Sequence, residues 1–286
     1  MYAIAGVTGH VGSAAAETLL AQGKSLRVIV REPAKAAAWK ARGVEVVVAE
    51  LSDEAAITKA LTGVEGAFLL LPPEVATPTP LENNAKLSAT LARAIKASKL
   101  PHVVLLSSVG AQHDGGNGPI RALHRAEQDF AATGAAFTAV RASSFQENWG
   151  ASLGALAQGI LPTFIPAGFR YPQVASKDIG RTVAAALVEG GKPGVKRVIE
   201  LAGPRDYSPT EVAAELAKLT GKPVVAHEAP LDAVVPTFTG FGISPAVAAL
   251  FREMFAGIAS GRVAFETPHQ VRGTVEIGET LKAMLG

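Results

Sequence analysis

Cysteine is absent from the 286-residue chain. That removes disulfides, thiolate nucleophiles, Cys-ligated zinc and iron–sulfur clusters in one step. Charge is scarce and balanced: 27 Lys+Arg stand against 25 Asp+Glu, a net +2, and charged residues make up only 18%. A nucleic-acid surface calls for a marked basic excess, and a disordered chain for a higher charge density, so neither is expected. No block of five or six like charges forms a tail. There is no His-rich pattern for a metal; His102, His113, His227 and His269 are scattered, and no metal site is expected. No Ser–His–Asp spacing is evident either.

A targeting segment is also missing. Met1–Ala5 runs into a glycine-rich turn with neither a basic segment nor a long apolar one, so the protein is read as cytoplasmic. Two uncharged stretches, Asn148–Phe169 and Ala233–Phe251, raise the question of a membrane span. Gly150, Gly154, Gly159, Pro162, Pro166 and Gly168 interrupt the first, and Pro236, Gly240, Gly242 and Pro245 the second. A lipid-exposed helix would have to re-satisfy its backbone at each break, so both are expected to be buried or to line a pocket.

What is present is 48% apolar residue content, enough for a sizeable core in one or two domains. Short apolar runs alternate with helical patterns. Strands are expected at Ala3–Ala5, Leu26–Val30, Val44–Ala49, Ala67–Leu71, His102–Leu106, Phe137–Arg141 and Arg197–Leu201. Helices are expected at Val11–Ala21, Ala34–Arg42, from Asp53 behind a Ser52 cap, Leu81–Ser98, Ile120–Thr133 and Lys177–Glu189. The strands are apolar throughout rather than alternating, as in a parallel sheet covered on both faces. The expectation is an α/β fold, a Rossmann doubly wound parallel sheet with a smaller C-terminal substrate-side lobe. The core takes 1–144 and continues through 172–202; the lobe takes 145–171 and 203–286. In the lobe, Ser208-Pro209-Thr210-Glu211 reads as a capping box opening a helix to about Leu219. Val224–His227 reads as a short strand, Ser244-Pro245 as a helix start and Glu276–Leu285 as the last helix.

Gly6-Val7-Thr8-Gly9-His10-Val11-Gly12 lies between the first strand and the first helix. Glycines at this spacing allow a tight turn, a close approach of backbone to a pyrophosphate, and close helix–strand packing. The helix N-terminus then offers free N–H groups to the anion. Arg31 follows the second strand and Lys35 lies one helical turn on. Basic residues there accommodate a 2′-phosphate and favour NADP(H) over NAD(H). The competing readings are that both are solvated surface charges, or that Glu32 turns inward to a ribose hydroxyl.

Rossmann reductases often use Tyr-x-x-x-Lys for proton transfer. Four residues after Tyr2, Tyr171 and Tyr207 stand Gly6, Ala175 and Glu211, so the chain contains no such pair. On the relevant helix, His124 is the one side chain suited to move a proton near neutral pH; the competing reading is a structural or surface histidine. Ser107 and Ser108 end the fifth strand, where open α/β sheets bind ligands, and either touch the nicotinamide end or cap the strand.

Gly6–Gly12, Arg31–Lys35, Glu50–Asp53, Ser107–Gly110, Arg141–Trp149, Leu201–Pro204 and the helix Ser208–Leu219 together resemble the NmrA-like proteins, which are atypical short-chain dehydrogenase/reductases. The resemblance covers nearly the whole chain. It implies that Gly6, Thr8, Gly9, His10, Val11 and Gly12 hold the pyrophosphate and that Arg31 meets the adenosine phosphate. It further implies that Leu51, Leu71 and Pro72 flank the cofactor and that Ser143, Phe145, Asn148 and Trp149 face the substrate. Many members carry Lys or His four residues before the glutamate matching Glu127. Here that residue is Leu123, with His124 one step later.

Two functions follow from the resemblance. One is an NADPH-dependent oxidoreductase passing hydride to a quinone or similar conjugated acceptor, a reaction that tolerates the missing Tyr acid because the reduced product is a stabilised phenolate or amine. The other is a non-catalytic NADP(H) sensor acting through a protein partner. A sugar epimerase is disfavoured by the same missing dyad. The apolar 233–251 segment is compatible with a protein partner or a homodimer.

Overall fold

The computed structural model describes every residue from Met1 to Gly286. The first half of the chain alternates strand and helix: β1 (Tyr2–Ala5), α1 (His10–Ala21), β2 (Leu26–Val30), α2 (Pro33–Lys40), β3 (Glu45–Val48), α3 (Glu54–Leu61), β4 (Gly66–Leu69), α4 (Pro80–Ser98), β5 (His102–Ser108), α5 (Arg121–Ala131) and β6 (Ala136–Ala142). The second half holds β7 (Ser144–Phe145), a 3-10 segment (Gln146–Gln158), β8 (Ile160–Thr163), β9 (Tyr171–Val174), α6 (Ser176–Glu189), β10 (Lys196–Ala202), β11 (Asp206–Tyr207), α7 (Pro209–Thr220), β12 (Val225–Glu228), α8 (Val234–Gly240), α9 (Pro245–Ala259), β13 (Val271–Arg272) and α10 (Ile277–Leu285).

Eight strands form one sheet in the order β13-β10-β6-β5-β4-β1-β2-β3. Every ladder in it is parallel. The chain winds outward from β1 through β2 to β3, then crosses back to β4, so the strand order reverses between β1 and β4. A crevice opens at the carboxyl ends of the strands at such a switch point.

Helices α1, α2 and α6 cover one face, where Ile4, Leu19, Val28, Phe68 and Val183 belong to a buried cluster of 25 residues. Helices α3, α4 and α5 cover the other, with Ile57, Leu91, Leu105 and Phe130 in a cluster of 21. Burial on both sides explains the unbroken apolar strands. A third cluster of 12 residues, among them Trp149, Leu161, Tyr207 and Leu281, belongs to the smaller lobe. Two small sheets, β11-β9-β7 and β12-β8, lie beside the large one, and β9 joins the first of them although all of it but Tyr171 falls within the 172–202 segment expected to continue the core. The lobe is not cleanly separate, because β13 from the C-terminal third extends the large sheet beside β10.

Side-chain caps mark three of the helix starts. Ser208 and Glu211 form the expected capping box on α7, and Ser244 caps α9 by accepting from the Val247 N–H. The expected Ser52 cap is displaced by one residue: Asp53 is the N-cap of α3 and accepts from the Ala56 N–H at 3.0 Å. The 148–169 stretch holds 3-10 turns and the strand β8, and 233–251 is broken into α8 and the first turns of α9. No helix is long and apolar enough to cross a membrane.

Candidate functional site

A cleft of about 630 Å³ lies at the β1–β4 switch point. Its floor is the glycine loop. Gly6 has φ +68°, and a Cβ there would sit 2.5 Å from Leu70 Cδ2. A Cβ on Gly12 would lie 2.3 Å from the Gly6 carbonyl oxygen and 2.8 Å from that of Ala5, so α1 packs against β1 at a distance only glycine permits. The loop closes through the Gly9 N–H, which donates to Gly6 O at 2.9 Å. Gly9 is also the N-cap of α1, and no side chain caps that helix. The first-turn N–H groups of α1 therefore face the cleft, where an anion would be bound.

The six glycine-loop residues Gly6, Thr8, Gly9, His10, Val11 and Gly12 all line the cleft. Arg31 does too, exposed at the end of β2 and without an acidic partner, as do Glu50, Leu51 and Pro72. Glu32 and Lys35 do not. Glu32 is the N-cap residue of α2. Lys35 is exposed on α2, which buries Ala36 and Trp39.

The strands and the residues just past them redistribute the remaining candidates. Leu70, not Leu71, lines the cleft, while Leu71 packs on the α3–α5 face. On β5 it is Leu106 that lines the cleft. Ser107 points to the opposite face, is buried, and donates to Glu127 Oε1 at 2.6 Å. Ser108 donates to the Val109 carbonyl at 3.0 Å and lies outside the lining. In a strand, neighbouring side chains face opposite sides, so a one-residue shift changes the role completely.

Helix α4 supplies a wall that the sequence reading missed: Asn83, Lys86, Leu87 and Thr90. Their spacing of three, four and seven is one helical face, which was the available signal. The loop after β4 adds Pro73 and Glu74.

His124 is placed as a structural residue. Its Nδ1 lies 2.8 Å from the Ala111 carbonyl and its Nε2 2.9 Å from Gln128 Nε2. A ring donating through Nδ1 and accepting at Nε2 satisfies both contacts, leaving no free nitrogen for a substrate. Both ring nitrogens are thus engaged within the protein, and His124 does not line the cleft. Three residues on, Glu127 anchors a buried network not anticipated from the sequence. Arg141 donates to both its oxygens at 2.9 and 2.8 Å, and Lys196 donates at 2.8 Å. Burial alone would raise the Glu127 pKa; the hydrogen bonds from Arg141, Lys196 and Ser107 outweigh it and hold the carboxyl below its ordinary range.

The substrate-side candidates separate. Trp149 is buried in the small-lobe core, and its indole N–H donates to Gln173 Oε1 at 2.7 Å. Asn148 is exposed, and Phe145 packs half-buried on the α1–α6 side of the sheet. Ser143 is buried just past β6, with no hydrogen-bond partner for its hydroxyl. None of the four lines the cleft.

Sheet order, switch-point cleft and glycine loop together define a protein of the NAD(P)-binding Rossmann class. The chain belongs to the NmrA-like family, which it matches over residues 2–258. It is 32% identical over 230 residues to quinone oxidoreductase 2 of Escherichia coli (strain K12), covering 78% of this chain and 76% of that protein. It is 28% identical over 261 residues to the NAD(P)H azoreductase of Xenophilus azovorans, covering 90% and 86%. The crystal structure of the E. coli NADPH-dependent quinone oxidoreductase QOR2 complexed with NADPH superimposes with a TM-score of 0.85 at 27% identity, over 100% of both chains.

Proposed function

We propose that this protein is an NADPH-dependent oxidoreductase that reduces a quinone or similar conjugated small molecule. The observation that carries the reading is the cleft itself: a glycine loop closed against an uncapped helix N-terminus, with an unpaired arginine at the end of β2. The residues fit the dinucleotide. The loop and the first turn of α1 hold the pyrophosphate, and Arg31 selects the 2′-phosphate over a bare ribose. Leu51 and Leu70 supply apolar contact for the rings, and Pro72 and Pro73 stiffen the rim. The activities of the quinone oxidoreductase and azoreductase relatives support the same class.

When bound, NADPH supplies a hydride, so that a quinone plus that hydride and one proton becomes a hydroquinone and leaves NADP⁺. The chain's part is orientation and exclusion of water, since proximity provides much of the rate in such transfers. No Tyr-x-x-x-Lys pair is present, and the His124 ring is committed elsewhere. A quinone tolerates this because its reduced oxygens are stabilised phenolates that water protonates; a simple ketone, which needs an acid at a basic alkoxide, does not.

The test is to titrate the protein with NADPH and NADH by calorimetry, then add menadione and follow loss of NADPH absorbance. Tight NADPH binding with steady oxidation supports the reading. Tight binding without oxidation across quinones and azo dyes refutes turnover and favours the sensor. Failure to bind either nucleotide overturns the cleft assignment.

A further inference from the structure

The two uncharged stretches of the sequence, 148–169 and 233–251, have no place in the cofactor cleft. In the fold they meet each other. Phe164, just past β8, packs edge-on against Phe238 of α8 with ring centroids 5.9 Å apart, and against Phe255 of α9 at 5.6 Å. Phe238 also meets Phe251 at 5.1 Å and Phe255 at 6.1 Å. All four rings are only half-buried. Phe255 packs on the small-lobe core, but Phe164, Phe238 and Phe251 do not, and they form a layer outside it. Phe241, at the turn between α8 and α9, is 77% exposed beside them in the chain. Such a cluster offers ring faces and edges to another aromatic ring.

This layer is fastened to the cofactor cleft. Ser244, the N-cap of α9, donates its backbone N–H to Val75 O at 2.8 Å and its hydroxyl to Thr77 O at 2.6 Å. The same loop contributes Pro72, Pro73 and Glu74 to the cleft wall. Asn83 of that wall donates to Glu74 Oε2 at 2.9 Å and to Thr77 Oγ1 at 3.0 Å. The α8–α9 pair that carries three of the four rings therefore abuts the wall against which the cofactor would lie.

Charge is sparse around Phe164, Phe238 and Phe251. Neither stretch contains a charged residue. The two charges that flank the second, Asp232 and Arg252, are paired with each other at 2.6 Å. A sulfonate or phosphate placed over these rings would lose water and find the nearest cation along the chain, Arg252, already paired with Asp232.

We propose that Phe164, Phe238, Phe251 and Phe255 seat the ring system of the acceptor and select neutral aromatic acceptors over anionic ones. The proposal rests on the reductase reading for the identity of its ligand, so its test is a binding measurement that needs no turnover. The full chain, saturated with NADP⁺, is titrated with 1,4-dimethoxynaphthalene, which is neutral and accepts no hydride, and with naphthalene-2-sulfonate. The neutral ring binds at least roughly ten-fold tighter, and Phe238→Leu and Phe251→Leu, which keep apolar bulk, each weaken it by roughly ten-fold, on the order of one aromatic contact. NADPH affinity stays unchanged in both variants.

Equal affinity for the two probes, or no binding of the neutral one, overturns the proposal without any variant. So does retention of neutral-probe binding in both variants, or a change in sedimentation mass with binding intact, which would make the layer a contact between copies of the chain. If menadione is not reduced while the neutral probe binds in the stated order, the reductase reading fails and the seat stands.

Discussion

Replacing Arg31 with alanine is expected to erase most of the preference for NADPH while leaving NADH binding intact. Arg31 stands first after β2, lines the cleft and has no carboxylate to satisfy it. A guanidinium forked onto a phosphate is a charge-assisted contact worth about 1.5–3 kcal/mol. Arg31 is exposed, so solvent and salt reduce this to about 1–2 kcal/mol, or roughly 5- to 30-fold in affinity. Calorimetric titration of wild type and variant with both nucleotides reads the ratio directly. The wild-type ratio should also shrink with added salt, as the Debye length falls from about 10 Å at 0.1 M to about 3 Å at 1 M. Lys35→Ala serves as the control, since that side chain lies outside the cleft lining, and should leave the ratio unchanged. Equal weakening of NADPH and NADH in Arg31→Ala, or an unchanged NADPH affinity, refutes the placement of the 2′-phosphate.

Three further outcomes are expected. Gly12→Ala places a Cβ 2.3 Å from a backbone oxygen that cannot move aside without opening the loop; nucleotide affinity should fall at least roughly ten-fold and stability by about 1–3 kcal/mol, read by calorimetry and urea melts. His124→Gln should leave NADPH oxidation at the wild-type rate and cost about 0.5–1.5 kcal/mol of stability for the lost bond to Ala111; a large fall in kcat with native melting behaviour would restore His124 as a catalytic group. Glu127→Ala leaves Arg141, which is only 3% exposed, with the half-exposed Glu266 as its one remaining carboxylate, and should cost about 2–3 kcal/mol, less than the about 3–5 kcal/mol of a buried charge left wholly unpaired. Because the folded-state pKa of Glu127 is depressed, its contribution is complete above the unfolded value of about 4.3 and disappears as pH falls through the folded value. Glu127→Gln should therefore flatten the acid limb of a stability–pH profile, and an unchanged limb would show that the network does not titrate with unfolding.

Much of this was legible in the chain itself. Apolar strands alternating with helices point to a covered parallel sheet, and the observed order β3-β2-β1-β4-β5-β6 is one of those that such alternation with right-handed crossovers allows. The glycine loop was readable because its function lies in the backbone: Gly6 needs a positive φ and Gly12 has no room for a Cβ, constraints that each act within a few residues. The capping box at Ser208–Glu211 is local in the same sense. The absence of a Tyr-x-x-x-Lys pair is settled by counting.

What the tertiary structure decided is which neighbour of a pair faces the ligand and which distant segments meet. Leu106 rather than Ser107 lines the cleft because side chains on a strand reverse with every residue, and just past β4 it is Leu70 rather than Leu71 that does so; a sequence pattern locates strand ends only to within one or two. His124 met the chemical requirement for proton transfer, yet Ala111, 13 residues earlier, and Gln128, one turn on, take both ring nitrogens. Glu127, Arg141 and Lys196 look like unrelated surface charges until β5, β6, β10 and α5 are stacked together. The two uncharged stretches show the limit plainly. Their composition says that they avoid water; only folding brings Phe164 within 5.9 Å of Phe238, across more than seventy residues, and ties both to the wall of the cofactor cleft. Local physics writes itself into neighbouring residues, but contacts closed over long loops depend on the packing of the whole sheet.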